Sequence, residues 1–269
     1  MKTSNGTAYQ ICGREDAPVI ALIHGIGLNR HIWRDYEPDF AQHYRVLSYD
    51  LFGHGDSAAA EETLSLTVFS EQLRELLDQL GIEQCAAIGF SMGGMINRRF
   101  AMDHPQRCSA LVVLNSPHER SPDAQRLVQE RAAQTSEGGA AATLQAALQR
   151  WFTPQYLHDQ QQTINEVTDW VLATEALSFK QTRQVLAIGV IELIRPQPAI
   201  NHAALVMTCE HDSGSTPAMA HAIASEIDGA QSIVVPQLRH LGMLEQPELF
   251  IEPITQFLHR ALVQGRSQD

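Results

Sequence analysis

Cysteine is scarce in this sequence, and its four cysteines follow no recognisable pattern. Among the 269 residues they show neither the Cys-x-x-Cys nor the histidine-rich spacing of zinc sites. They are Cys12, Cys85, Cys108 and Cys209. A disulfide scaffold and a metal site are therefore not expected, and a reducing compartment fits best.

Long apolar runs and basic residues are also few. No stretch has the length and hydrophobicity needed to cross a bilayer, and residues 1–6 lack the apolar core of a signal peptide. There are 19 Lys and Arg against 31 Asp and Glu, a formal net charge of -12, whereas nucleic-acid binding needs clustered basic side chains. We expect a cytoplasmic monomer or homodimer with a small-molecule partner, and neither nucleic acid nor membrane as partner.

The apolar residues are distributed as in an α/β protein. A hydrophobic fraction of 44% is enough for one large domain or for one domain with an insertion. Short apolar runs alternate with stretches of helical periodicity, which is typical of a mostly parallel sheet with helices on both faces. One amphipathic helix is predicted to end at Gly81. The predicted strands are 19–23, 45–49, 85–88, 111–114, 205–209 and 232–235.

The pattern changes between His118 and Pro198. Strand-like runs disappear there, and Gln, Ala, Glu and Leu dominate. We interpret residues 118–197 as a helical cap inserted between two segments of the core, 1–117 and 198–269. The alternative is that these helices simply extend the helical part of the core.

A candidate nucleophile follows the predicted strand 85–88. Gly89-Phe90-Ser91-Met92-Gly93 has the form Gly-x-Ser-x-Gly and leads into a helix-compatible segment, which is the strand-turn-helix setting that this motif requires. A serine on such a tight turn needs small neighbours, because a side chain at either glycine would collide with an adjacent element. We therefore assign Ser91 as the nucleophile.

The candidate base and acid lie after the last two predicted strands. A serine hydroxyl needs a neighbouring base, usually histidine, and His240 follows strand 232–235 at the same sheet edge as Ser91. Asp212 follows strand 205–209 and is the candidate that orients the histidine. The other common position for the acid carries Asn115, which weakens that alternative. A surface-loop role for His240 is the other interpretation.

Two backbone amides are candidates for an oxyanion hole. The loop His24-Gly25-Ile26-Gly27 follows strand 19–23, where a donor is needed, so we assign the N–H groups of Ile26 and Met92. His24 itself is expected to be structural. His54, in the turn Gly53-His54-Gly55-Asp56-Ser57, is a weaker candidate for a second base.

These motifs resemble the α/β-hydrolase superfamily over nearly the full chain. Within it, the segments 24–28, 150–154 and 245–247 are most similar to the 3-oxoadipate enol-lactonase group and its esterase relatives. The resemblance implies a mostly parallel central sheet flanked by helices, with a helical cap inserted after the sixth strand. It also implies acyl transfer to water without metal or organic cofactor.

The expected function is hydrolysis of a small carboxylic ester or lactone through an acyl-enzyme. Trp151 and Phe152 are candidates for the apolar wall of the pocket, with an ordinary core role as the alternative. Arg150 is a candidate contact for a substrate carboxylate, with a solvated helix face as the alternative. Two other functions stay open: hydrolysis of a carbon–carbon bond in a ring-cleavage product, and ligand sensing by a protein that keeps the triad.

Overall fold

A seven-stranded sheet forms the centre of the computed structural model, which describes residues 1–264 except for the side chains of 134–138 and 263–264. The strand order is β1-β3-β2-β4-β5-β6-β7, and only β1 runs antiparallel to its neighbour. The strands are β1 Tyr9–Gly13, β2 Val19–Ile23, β3 Arg45–Tyr49, β4 Cys85–Phe90, β5 Cys108–Leu114, β6 Ala204–Cys209 and β7 Gln231–Val235.

The six parallel strands are those predicted from the apolar runs. Every residue of β4 and β6 is buried, because helices cover both faces of the sheet. The prediction missed β1, an edge strand whose residues are half-buried or exposed. Its sequence contains no apolar run, and it becomes a strand by pairing residue for residue with β3.

Eleven helices surround the sheet or join its strands in the described part of the chain. Ser65 caps α2, which ends before Gly81 as predicted. The helices are α1 Glu37–Phe40, α2 Leu66–Gln79, α3 Met92–Asp103, α4 Pro122–Gly138, α5 Ala141–Trp151, α6 Pro154–Asp159, α7 Gln161–Ala173, α8 Ala176–Ile188, α9 Pro217–Ser225, α10 Gly242–Glu245 and α11 Glu248–His259. None of them is both long enough and apolar enough to span a membrane.

Helices α4 to α8 follow one another between β5 and β6, with no strand between them. We call this segment the helical insertion. It follows β5, the fifth strand of this chain. The expectation that the cap follows a sixth strand is therefore wrong. The reason is that the residues before Tyr9 form only a single bridge, between Lys2 and Ala8, and add no strand to the sheet.

Two buried histidines, His24 and His54, lie in the loops that follow β2 and β3. His24 donates from Nδ1 to the carbonyl of Gly25 at 2.7 Å and accepts the N–H of Leu51 at Nε2 at 2.9 Å, which requires the neutral ring. Burial lowers the pKa of His24 to about 4 and that of His54 to about 3. Neither residue is exposed to solvent, so both are structural groups.

Acid should destabilise the protein through these histidines. Their folded-state pKa values lie below the unfolded value of about 6.5, so the unfolded chain binds protons that the folded chain refuses as the pH falls from 6.5 toward 4. We expect the free energy of unfolding to fall by about 2 kcal/mol per histidine between pH 7 and pH 5. Urea titrations at both pH values measure it.

The substitution His54→Gln should reduce this difference between the two pH values. His158→Gln, which removes an exposed histidine, is the control and should leave the difference unchanged. Equal pH dependence in the wild type and the His54→Gln variant would contradict the assignment.

Candidate active site

Ser91 occupies a strained turn between β4 and α3. Its φ of 54° and ψ of -111° lie outside the regions that most side chains adopt, and its N–H is held by the carbonyl of Leu114 at 2.8 Å. A Cβ on Gly89 would lie 2.1 Å from the Gly93 carbonyl oxygen, and a Cβ on Gly93 would lie 2.2 Å from that of Ile23. The two glycines are therefore required by close backbone approach.

The side chains of Ser91, His240 and Asp212 form one continuous hydrogen-bonded line. His240 Nε2 lies 3.1 Å from Ser91 Oγ, and His240 Nδ1 lies 2.6 Å from Asp212 Oδ2. The His240 ring packs against Phe90, with ring centroids 5.0 Å apart. With the Nδ1 proton held by the carboxylate, Nε2 is left to accept the serine proton.

Asp212 is a buried carboxylate with hydrogen bonds to both of its oxygens. Oδ1 accepts the backbone N–H groups of Gly214 and Ser215, each at 2.9 Å. Oδ2 accepts Asn115 Nδ2 at 2.9 Å in addition to the His240 ring. Burial opposes ionisation of this group, but His240 and the other donors outweigh burial, so the pKa of Asp212 is lowered.

Two backbone amides beside Ser91 have the properties of oxyanion donors. Met92 is the first residue of α3, so its N–H lies at the positive end of the helix dipole. Ile26 follows β2 and lines the same cavity as Ser91. Within residues 1–264, neither amide bonds to an acceptor in the protein. The Ile26 loop is held by the contacts of His24 with Gly25 and Leu51.

This arrangement can perform nucleophilic catalysis. A neutral imidazole accepts the serine proton as the hydroxyl attacks a carbonyl carbon, and the carboxylate stabilises the imidazolium that forms. Two unpaired N–H groups can bind the oxygen that becomes negatively charged. Among the described residues, no group of three or more His, Cys, Asp and Glu side chains is placed to hold a metal ion.

Comparison with known families assigns the fold. Residues 18–247 match the family described as alpha/beta hydrolase fold. The chain belongs to the α/β-hydrolase family.

This α/β-hydrolase resembles enol-lactonases in sequence and in structure. Two relatives from Acinetobacter baylyi, (E)-2-((N-methylformamido)methylene)succinate hydrolase and 3-oxoadipate enol-lactonase 2, are 27% and 26% identical to it. The alignments cover 91% and 94% of this chain and 92% of each relative. An enol-lactonase structure from Burkholderia xenovorans superposes with a TM-score of 0.83 at 27% identity, covering 94% of this chain and 96% of that one.

A hydrolase structure from Pseudomonas aeruginosa is similarly close. Its TM-score is 0.86 at 28% identity, with coverage of 96% and 97% of the two chains. The protein is a hydrolase similar to enol-lactonases.

A cavity lies over Ser91 and His240 in this α/β-hydrolase, with an empty volume of about 850 Å³ that includes some open solvent. The helical insertion contributes Arg150 and Trp151 to its lining. Phe152 does not line it, so that prediction is corrected. Its ring is fully buried and stacks on Tyr156, with centroids 5.3 Å apart, because the chain turns inward where α5 ends.

The helical insertion is bonded directly to the loop that carries His240. The N–H of Leu241 donates to the carbonyl of Trp151 at 2.8 Å. Thr153 donates from its backbone N–H and its hydroxyl to the two carboxylate oxygens of Glu245, at 2.8 and 2.6 Å. These contacts give a structural role to the segments 150–154 and 245–247, and they couple the position of His240 to the insertion.

Asn115 is a site residue that the sequence analysis did not identify. In the sequence, Asn115 serves only to weaken an alternative position for the acid. It follows β5 at the sheet edge, has a φ of 46°, and donates to Asp212. The available signal was an asparagine directly after a buried strand, since asparagine tolerates this backbone conformation and its amide can donate to a carboxylate.

We expect Asn115→Ala to lower kcat/KM about tenfold, because the Asp212 carboxylate loses a hydrogen bond worth roughly 1.5–3 kcal/mol. The loss raises the pKa of Asp212, so the acid limb of the pH profile should move to higher pH. Asn115→Asp should move it further by placing a second carboxylate beside the first.

The control is Asn201→Ala at an exposed asparagine, which should leave both kinetics and pH profile unchanged. Steady-state kinetics from pH 5 to 9 measure these effects. Unaltered kinetics in both Asn115 variants would show that its contact with Asp212 does not matter for catalysis.

Proposed function

We propose that this hydrolase cleaves a small carboxylic ester or lactone through Ser91, His240 and Asp212 and a covalent acyl-enzyme. The observation that carries the proposal is the hydrogen-bonded line from Ser91 Oγ through His240 to Asp212 at the floor of the cavity. Each side chain comes from a different loop, yet all three meet at donor–acceptor distances of 2.6 to 3.1 Å.

The proposed reaction has two steps. Ser91 Oγ forms a bond to the acyl carbon and passes its proton to His240 Nε2, while the N–H groups of Ile26 and Met92 bind the oxyanion. The bond to the leaving oxygen then breaks, and His240 returns the proton to that oxygen. Water next loses a proton to His240 and forms a bond to the acyl carbon. The bond between that carbon and Ser91 Oγ then breaks, His240 returns the proton to Ser91 Oγ, and the acid is released.

Ester or lactone substrates are supported by the relatives. Two of the similar proteins are named as enol-lactonases, and all those reported above are hydrolases. Arg150 and Trp151 are the proposed substrate contacts from the helical insertion, since both line the cavity. Neither carbon–carbon bond hydrolysis nor ligand sensing is favoured by a specific observation.

We also propose that residues 118–197 act as a cap over the site, between core segments 1–117 and 198–269. The last five residues of the second core segment, 265–269, lie outside the described part of the chain. Support comes from the contacts that join the insertion to the core beside His240. Arg239 adds to them, since its guanidinium donates to the carbonyl of Phe152 at 3.2 Å.

The substitution Ser91→Ala tests the proposed function. Hydrolysis of a short p-nitrophenyl ester and of an enol-lactone should fall by about 10⁴-fold or more, because the hydroxyl bonded to His240 Nε2 is removed. A fluorophosphonate should add covalently to the wild type at residue 91, detected by mass spectrometry of peptides.

The control is Ser225→Ala, a change on the exposed face of α9 that should keep full activity. Wild-type turnover in the Ser91→Ala variant would refute the proposed function.

A further inference from the structure

The cavity over Ser91 is lined by an unusual number of arginines. Four guanidinium side chains contribute to it, and all four lie between β5 and β6, in or next to the helical insertion. They are Arg120, Arg131, Arg150 and Arg183. The carboxylate that lines the cavity is Asp212, which is already bonded to His240, Asn115 and two backbone amides.

Three of these arginines bond only to neutral groups or to none. Arg120 donates to the side-chain oxygen of Gln125 at 3.1 Å and, over longer distances, to the carbonyls at the end of α8. Arg150 donates to the carbonyl of Ala146 at 2.9 Å. The buried Nε of Arg183 has no hydrogen-bond partner among the described residues. Within that same part of the chain, none of the three forms an ion pair.

A majority of the twelve other arginines in residues 1–264, but not all of them, form an ion pair within the protein. Seven of them pair with an Asp or Glu side chain, as the excess of carboxylates makes easy. These are Arg14, Arg30, Arg34, Arg74, Arg99, Arg107 and Arg126. Within the described residues, the cavity thus holds three arginines that form no ion pair, on a chain whose formal charge is -12.

Burial of these arginines and the repulsion between them lower the stability of the fold. Burial lowers the pKa of Arg120 and Arg150 and that of Arg183 to about 10, and the charge of Arg131 acts in the same direction on Arg150 and Arg183. Arginine side chains stay protonated at neutral pH in proteins. Partly desolvated like charges destabilise the fold, and a bound anion relieves that cost.

We propose that the substrate of this site is an ester or lactone carrying at least two carboxylates in addition to the scissile acyl group, bound by Arg120, Arg150 and Arg183. The inference rests on the proposed function of Ser91 and adds the substrate class. Guanidinium groups bind carboxylates through two parallel hydrogen bonds, which fixes the orientation of the substrate as well as its affinity.

The number and the positions of the arginines favour a substrate with more than one anionic group. Arg150 and Arg183 share a second, smaller cavity that also includes Ile26 and Trp151. Arg120 lines the larger cavity but not this smaller one. A single carboxylate is matched by one or two guanidinium groups, so a monoanion leaves at least one arginine without a partner.

The first experiment compares three p-nitrophenyl esters with the wild-type enzyme. The acyl groups are butyrate, with no free carboxylate, the succinate half ester, with one, and the tricarballylate monoester, with two. We expect kcat/KM to rise about tenfold with each added carboxylate, mainly through a lower KM. Equal kcat/KM for the three esters would overturn the proposed substrate class.

Arginine variants test which side chains are responsible. In Arg150→Gln and Arg183→Gln, the ratio of kcat/KM for the tricarballylate ester to that for the butyrate ester should fall about tenfold. Arg183→Lys should retain part of the wild-type preference for the tricarballylate ester. Arg126→Gln, which removes an exposed arginine paired with Glu130, should keep the wild-type ratio. Damage to the fold lowers turnover of both esters alike, so an unchanged ratio in the cavity variants overturns the inference.

A binding measurement separates this inference from the proposed chemistry. Isothermal titration of Ser91→Ala with tricarballylate should show saturable binding that butyrate does not match at equal ionic strength, and Arg183→Gln in the same background should weaken it about tenfold. Absence of tricarballylate binding overturns the substrate class whatever the catalytic residues are. Tricarballylate binding together with an active Ser91→Ala variant instead refutes only the nucleophile.

Discussion

The site depends on one buried carboxylate that is fully hydrogen-bonded. Asp212 lies in the protein interior and stays ionised because four donors surround it, two from its own loop and one each from Asn115 and His240. A buried carboxylate with fewer donors would take up a proton instead. Its charge holds the His240 ring in the orientation that reaches Ser91.

The parallel sheet explains why these groups meet. Ser91, Asn115, Asp212 and His240 follow β4, β5, β6 and β7, four consecutive strands in the sheet order. Parallel strands in register end at the same edge, so the loops that follow them converge there. Burial of the strands on both faces makes that edge rigid, and the strained backbone of Ser91 persists because its neighbours hold it in place.

The cavity at the same edge is lined by four arginines. Outside the cavity, seven arginines pair with carboxylates, whereas Arg120, Arg150 and Arg183 line one cavity and form no ion pair within the described part of the chain. This arrangement lowers the stability of the free protein and favours an anionic ligand. Stability given up at a binding site is a common feature of functional proteins, because the groups that recognise a ligand are left incompletely satisfied without it.

Local features were determined by the sequence itself. Apolar runs specified the six parallel strands, and the glycines around Ser91 specified its turn, because both depend on neighbours a few residues away. Features that depend on contacts between distant segments were decided only by the tertiary structure. It formed β1 by pairing, turned Phe152 into the core, and brought Asn115 to Asp212 across 97 positions. Such contacts follow from strand order and helix packing, which no short stretch of residues encodes.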